Sequence, residues 1–290
     1  MAQDSVRLAT WNCFGAPPTV DDFFAQRPFW PERLEVREVA EALAPFDVVC
    51  VQENLVDRVR ESLERLQRSA GFEHLWFDPM GPGADGSTFV GGGLAILSRL
   101  PMAVTFRQLP RGAGPDGFAR KGFATAKITL PSGRALHLVS THLQADDFNV
   151  PLEVSRATRA AQLDEILRAV AALDAGVPAV LCGDLNVPHG TDEYDELSRA
   201  LGDAWVDAPG RAGLVTYDCE ANDIARTFHG GGPERMLVDY VFARGPHVEA
   251  TDVRALLASP LVDVGGRPAS YAKRAFASDH AGVGVTLTLH

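Results

Sequence analysis

Apolar positions along the 290-residue chain cluster into short runs, and each of these runs meets a polar residue suited to a metal or a phosphate. Residues 7–12 end in Asn12, 48–53 in Glu53, 138–142 in His142, and 180–186 carry Asp184 and Asn186. Residues 237–240 carry Asp239, and 278–280 carry Asp279 and His280. Runs of this length, rich in Val, Ile and Leu, predict buried strands. In open α/β sheets ligands gather where strands end. A chain that repeatedly closes an apolar strand with Asn, Glu, His or Asp is therefore expected to build one polar site from many strand ends.

Between these runs the period changes. Residues 32–43 predict a helix with Leu34, Val36, Val39, Ala40 and Leu43 on one side, stopped by Pro45. A second helix is expected over 56–70, with Val59, Leu63 and Leu66 at helical spacing. The longest spans 154–173, with Arg156, Arg159 and Arg168 on its polar faces, and another covers 192–201. Residues 122–130 and 134–141 read as a hairpin turning at Pro131-Ser132-Gly133, 93–98 as a strand, and 81–86 as a flexible loop. No repeat, linker or coiled coil breaks the pattern. The candidate site residues come from both halves, so one domain over 1–290 is expected.

Composition adds bounds. The hydrophobic fraction of 46% and charged fraction of 22% are those of an ordinary globular chain. No run approaches the roughly 18 apolar residues that a transmembrane helix needs. No basic segment followed by an apolar stretch opens the chain, so no signal peptide is visible and a cytoplasmic location is expected. Cys13, Cys50, Cys182 and Cys219 fit no zinc spacing and are read as reduced and structural. A net charge of −11 weighs against long contact with a polyanion such as duplex DNA.

The chemistry lies in the polar ends. Glu53 at a strand end suits Mg²⁺, which takes one or two protein carboxylates and leaves other positions to water and phosphate. Asp184 and Asn186, two apart in an extended segment, would point the same way and hold a water and a phosphate oxygen together. His280 can take a proton from water if a carboxylate orients its other nitrogen. Asp239 is the candidate for that partner, with Asp279 facing the metal. Asn12 and His142 are weak singly. Lys121 is read as a mobile point charge able to reach phosphate, or else as an exposed lysine beside a glycine turn.

Taken in order, Thr10-Trp11-Asn12-Cys13, Val51-Gln52-Glu53, Ser140-Thr141-His142-Leu143, Gly183-Asp184-Leu185-Asn186, Val238-Asp239-Tyr240-Val241 and Ser278-Asp279-His280 resemble the endonuclease/exonuclease/phosphatase superfamily. The likeness runs from Leu8 to Val285. It implies a four-layer α/β sandwich of two mixed sheets flanked by helices, and Mg²⁺-dependent cleavage of a phosphoester by water, with Mn²⁺ a possible substitute. By the same resemblance Glu53 is the principal metal ligand and Asn12 helps arrange the metal site. His142 and Asn186 contact the scissile phosphate, Asp239 orients His280, and Asp279 supports metal or base. Asp184 positions or activates the water; whether Asp184 or His280 is the base stays open.

Three further segments are similar to the neutral sphingomyelinase-like branch: 91–101, Arg120-Lys121-Gly122 ahead of Thr141-His142, and 192–197. In that branch the lysine lies in a phosphate-associated loop. The expected substrate is then a phospholipid headgroup at a bilayer surface. Phe23, Phe24, Phe29 and Trp30 would form an interfacial patch, or simply cover an edge of the core. Asp21, Asp22 and Glu32 beside them would be repelled by anionic lipid. The second expectation is a nuclease on DNA or RNA, for which Arg107, Arg111, Arg120, Lys121, Arg156 and Arg159 offer a basic strip interleaved with acids. A non-catalytic scaffold is disfavoured because no site position is missing.

Overall fold

The computed structural model describes residues 4–15, 31–81, 88–174, 176–228, 234–244, 248–261 and 276–290. The aromatic cluster at 23–30 and the glycine-rich stretch 82–86 lie outside the described residues.

In chain order the strands are β1 (Asp4–Asn12), β2 (Val48–Gln52), β3 (His74–Phe77), β4 (Ala95–Ser98), β5 (Met102–Gln108), β6 (Gly122–Thr129) and β7 (Ala135–His142). They continue as β8 (Ala179–Asp184), β9 (Trp205–Asp207), β10 (Tyr217–Asp218), β11 (Arg235–Met236), β12 (Asp239–Arg244), β13 (Val248–Leu256) and β14 (Gly282–Leu289). The helices are α1 (Arg37–Leu43), α2 (Asp57–Ala70), α3 (Leu152–Ala171), α4 (Asp192–Leu201), α5 (Ala208–Ala212) and α6 (Asp223–Phe228). One six-stranded sheet runs β13-β14-β1-β2-β4-β3 and the other β5-β6-β7-β8-β12-β9, with β10 and β11 forming a separate ribbon. Both large sheets are mixed, because β1–β2 and β7–β8 are parallel while their other pairings are antiparallel.

Successive side chains in a strand face opposite ways, and here each way is covered. Leu8, Cys50, Ile96, Leu138, Val180, Cys182 and Val285 meet in a central layer between the sheets. Ala9, Trp11, Val49 and Val51 face outward onto Leu43 of α1 and onto Leu63 and Leu66 of α2. Val139, Leu181 and Phe242 face outward onto Ile166 of α3 and Leu197 of α4. Helix, sheet, sheet and helix thus make four layers. Burial on both faces explains why the strands read as unbroken apolar runs. Within the second sheet the neighbouring strands β7 and β8 leave no room for a side chain at Gly183, which has φ 138° and where a Cβ would sit 1.9 Å from the Thr141 carbonyl oxygen.

Three local readings change. The expected 32–43 helix is a 3-10 turn at Pro31–Glu35 followed by α1, with Val36 extended (ψ 148°) between them. The break turns both Arg33 and Leu34 inward, fully buried. The longest helix begins two residues earlier than expected, straight after Pro151, whose fixed φ of −55° suits a helix entry. Arg159 does not sit on a polar face. It is buried, paired with Glu193 at 2.6 Å and Asp146 at 2.7 Å, and donates to the Gln144 carbonyl at 3.0 Å. It is therefore lost to any basic strip.

Candidate active site at one shared strand edge

Topology brings the polar ends together, though not all are strand ends. Asn12, Glu53, His142 and Asp184 close or follow β1, β2, β7 and β8, whereas Asp239 opens β12 and His280 precedes β14. β12 runs antiparallel to β8 with Asp239 opposite Asp184, and β14 runs antiparallel to β1. Parallel pairing places His142 opposite Asp184 and Asn12 opposite Gln52. A start and a finish on antiparallel neighbours reach the same edge, so all six residues converge.

The chain bends sharply where it leaves these strands. Phe14, Glu53 and Asn186 have φ of 48°, 63° and 52°, in the left-handed region that side-chain-bearing residues avoid. Such positions are strained by roughly 1–3 kcal/mol each and persist where their surroundings hold them. Asn12 Oδ1 accepts the Phe14 N–H at 2.9 Å, and Asp184 Oδ1 accepts the Asn186 N–H at 2.9 Å. The second contact is an Asx-type turn. Asp184 and Asn186 therefore meet through a turn and not through the extended segment expected from their spacing.

Because Asn12 Oδ1 is held by a backbone N–H, its amide nitrogen faces the acids, donating to Glu53 at 2.9 Å and to Asp184 Oδ2 at 3.0 Å. His142 Nε2 lies 3.9 Å from Glu53 and 3.7 Å from Asp184. His280 Nδ1 is 2.9 Å from Asp239 Oδ2, and its Nε2 is 3.8 Å from Asp184 Oδ2. The Asp279 carboxylate accepts from Ser278 Oγ at 3.1 Å. Asn186 Nδ2 and Lys121 Nζ both donate to the Leu143 carbonyl, at 3.1 and 2.7 Å. Lys121 also pairs with Asp116 at 3.1 Å and is only 3% exposed, so it is a fixed charge at the margin of the site and neither mobile nor exposed.

Electrostatics divide the site. Burial, then the neighbouring Asp279, pushes the Glu53 carboxyl up to about 7, against the Asn12 hydrogen bond and His280. Burial and the Asp239 carboxylate push Asp184 up to about 6. Asp279 is raised by burial, with His280, Ser278 and Arg33 opposing. Burial, aided by Lys121 and His280, holds His142 well below its ordinary value and so neutral. Burial also pulls His280 down, but the carboxylates of Asp239, Asp279 and Asp184 outweigh it and hold its imidazole well above the usual range. Buried acids thus outnumber the cationic groups among them, and Asp239 Oδ1 is buried with no hydrogen-bond partner. Such a surplus of hard carboxylate oxygens fits a divalent cation such as Mg²⁺. Asp184, Asp239 and His280 also bring one ligand atom each within 4.8 Å of one another. Inside that group Asp239 and His280 already satisfy one another at 2.9 Å, which leaves the Glu53 and Asp279 carboxylates as the part of the site short of positive charge.

Several supports escaped sequence reading. Arg33 donates to the Cys13 carbonyl at 2.6 Å and to Ala277 at 2.8 Å, tying the β1 exit to the 276–280 loop. Asn222 donates to the Ser278 and Asp279 carbonyls at 2.8 and 3.3 Å while capping α6 at Ile224. Thr216 Oγ1 accepts the N–H of Val238 and Asp239 at 3.2 and 3.3 Å, and its carbonyl accepts Ala281 N–H at 2.7 Å. Beneath the site Gln52 donates to Thr10 at 3.1 Å and Ser140 at 3.5 Å, linking the two sheets. The Val51-Gln52-Glu53 run flagged Gln52, but none of the other three stands beside an apolar run long enough to mark it.

Comparison with known proteins bears on the family and the fold. The endonuclease/exonuclease/phosphatase family model matches residues 9–280. A sphingomyelinase C of Listeria ivanovii is 33% identical over 162 residues, 54% of this chain, and the match spans about half, 47%, of that protein. A sphingomyelinase C of Bacillus cereus is 28% identical over 281 residues, 89% of this chain and 80% of the relative. A magnesium-bound beta toxin variant from Staphylococcus aureus shares the fold, with a TM-score of 0.73 at 20% identity over 97% of this chain and 99% of that one.

Proposed function

The chain belongs to the endonuclease/exonuclease/phosphatase family, and we propose that it hydrolyses a phospholipid headgroup diester, sphingomyelin before others, with Mg²⁺ as cofactor and water as nucleophile. The observation that carries this reading is the surplus of buried carboxylates beside one Asp–His pair at the common strand edge. Likeness to sphingomyelinase C over 89% of the chain supports the choice of substrate.

Glu53 would be the main carboxylate on the cation, with Asp279 beside it, and Mn²⁺ would suit the same oxygens. Bound there, the cation neutralises the phosphate and stabilises the leaving oxygen. Asn12 holds the Glu53 and Asp184 carboxylates in place through its amide nitrogen and so helps arrange the metal site. Asp239 accepts from His280 Nδ1, which leaves Nε2 of the neutral imidazole to take the proton from water. Asp184, 3.8 Å from that nitrogen, orients the water. Neutral His142 and the Asn186 amide meet the phosphate oxygens, and Lys121 adds positive field from behind them.

Purified chain incubated with sphingomyelin micelles, phosphatidylcholine, plasmid DNA and RNA, with Mg²⁺ or EDTA, tests the reading. Phosphocholine release that EDTA abolishes is the expected result. Plasmid nicking without sphingomyelin turnover would transfer the protein to the nucleases.

A further inference from the structure

The inward face of α3 changes character along its length. Ser155, Arg159, Gln162, Ile166 and Val170 stand at helical spacing on its buried stripe. Ile166 and Val170 pack with Val139 and Leu181, as the inward face of a helix ordinarily does. The three residues before them are polar, and none is more than 2% exposed. Burying a polar side chain is costly unless its hydrogen bonds are made, so where those bonds go shows what this half of the stripe does.

Gln162 reaches the segment that follows β7. Its Oε1 accepts the Gln144 N–H at 2.9 Å and its Nε2 donates to the Pro110 carbonyl at 3.1 Å. The Gln144 N–H can only donate and the Pro110 carbonyl can only accept, so both ends of the Gln162 amide are fixed. The Gln144 N–H and the Leu143 carbonyl belong to one peptide unit, which is planar and, in its trans form, points the two groups opposite ways. Holding the N–H from the α3 side therefore aims the carbonyl away from α3. There it accepts Asn186 Nδ2 at 3.1 Å and Lys121 Nζ at 2.7 Å. The peptide units on either side are pinned too, by Leu143 N–H donating to the Asp184 carbonyl and by Arg159 donating to the Gln144 carbonyl, each at 3.0 Å. Lys121 has a second anchor in Asp116 at 3.1 Å, so the Asn186 amide is the group that leans on this carbonyl.

We propose that Gln162 is a positioning residue for the hydrolysis: it holds the Leu143–Gln144 peptide plane so that the Asn186 amide is set to meet a phosphate oxygen. This rests on the reading of Asn186 as a phosphate contact above. A side-chain amide NH2 carries two donors. With one committed to the Leu143 carbonyl, the direction of the other is set by that carbonyl, and so by Gln162 behind it. A tilt of the peptide plane would swing the amide off the phosphate while leaving the carboxylates of the proposed cation seat untouched.

Gln162→Met keeps the length of the side chain and removes both hydrogen bonds. Gln162→Asn withdraws the amide by one methylene and serves the same end if the Met variant does not fold. On sphingomyelin micelles with Mg²⁺ either should lower kcat about tenfold, the size of one hydrogen bond, with the Mg²⁺ concentration for half-maximal rate unchanged. Gln162→Glu keeps an oxygen facing the Gln144 N–H and should restore most of the rate. Ile166→Ala, on the same buried stripe, should lower the melting temperature and leave kcat alone. Added to Asn186→Ala, the Gln162 change should cost less than about twofold more, since residues acting through one contact are not additive. A second readout needs no turnover: in EDTA the ¹⁵N–¹H resonances of the Asn186 side-chain NH2 should move in Gln162→Met or Gln162→Asn and stay in place in Ile166→Ala. Unmoved resonances, a wild-type kcat, or a full tenfold loss repeated on the Asn186→Ala background each overturns the proposal. A wild type that hydrolyses no diester would sink the hydrolase reading instead, and the Asn186 resonances would then decide whether Gln162 sets that amide.

Discussion

Two pairs, one of acid and histidine and one of two acids, share the strand edge and meet burial in opposite ways. Asp239 faces its cation directly: His280 Nδ1 lies at 2.9 Å, and the Asp239 backbone N–H is backed by Thr216. Asp279 lies close enough to Glu53 to raise it, and Glu53 has the neutral Asn12 amide at 2.9 Å and neutral His142 at 3.9 Å. The first pair is complete within the protein and can pass a proton. The second is short of positive charge, which in the proposed function a bound cation supplies. The comparison predicts that mutations in the two pairs fail differently.

The largest effect is expected at the complete pair. His280→Ala should lower kcat about 10²–10⁴-fold, and Asp239→Asn should lower it sharply while the Mg²⁺ concentration for half-maximal rate barely moves. Glu53→Gln should do the reverse, raising that concentration about tenfold or more before kcat falls. Loss of Mg²⁺ binding in Asp239→Asn, with Glu53→Gln unaffected, would exchange the two roles. Titration of rate against Mg²⁺ for each variant decides it.

Thr216→Val removes the hydroxyl that fixes the entry to β12, so kcat should fall about tenfold, the size of one hydrogen bond, with KM unchanged. Thr216→Ser should restore it. A Val variant as active as wild type would remove Thr216 from the positioning of the pair.

pH gives the smallest effect and the sharpest sign. In the metal-free fold Glu53 keeps its proton to about 7 and Asp184 to about 6, above their ordinary values of 4.5 and 3.8. His280 likewise holds its proton above 6.5. In every case the folded chain binds more protons than the unfolded one, so stability declines as pH rises through these windows. The melting temperature of EDTA-treated protein should therefore fall as pH rises from about 5 through about 7, and Mg²⁺ should shrink the fall. A melting temperature that rises over that range would contradict the raised carboxyls. In catalysis the same raised imidazole predicts a rate that drops on the acid side, since only neutral His280 accepts a proton.

The edge residues were legible because each interrupts or follows an apolar run, and a buried strand with a polar end is visible without any partner. Their mutual geometry was not. Asp239 opens its strand instead of closing it, a distinction that depends on antiparallel pairing with β8 and on no local signal. Asn186 sits at φ 52°, set by a hydrogen bond to Asp184 that an alternation rule misses. Lys121 and Arg159 were misjudged for one reason: long basic side chains favour solvent, and only tertiary carboxylates and carbonyls could draw them inside. Thr216 and Asn222 lie in short segments around β10 and α6 with little periodicity, so their service to the pair appeared only in three dimensions.

The left-handed backbone at Glu53 and Asn186 has a bearing on how this sequence can drift. Glycine would relax φ at either position, and at Glu53 it would also remove a half-buried acid whose carboxyl is pushed up. Selection for robustness alone would thus favour erasing two residues of the proposed site. A lineage released from hydrolysis should lose them early, while Gly183, whose place no other side chain can take, should outlast them.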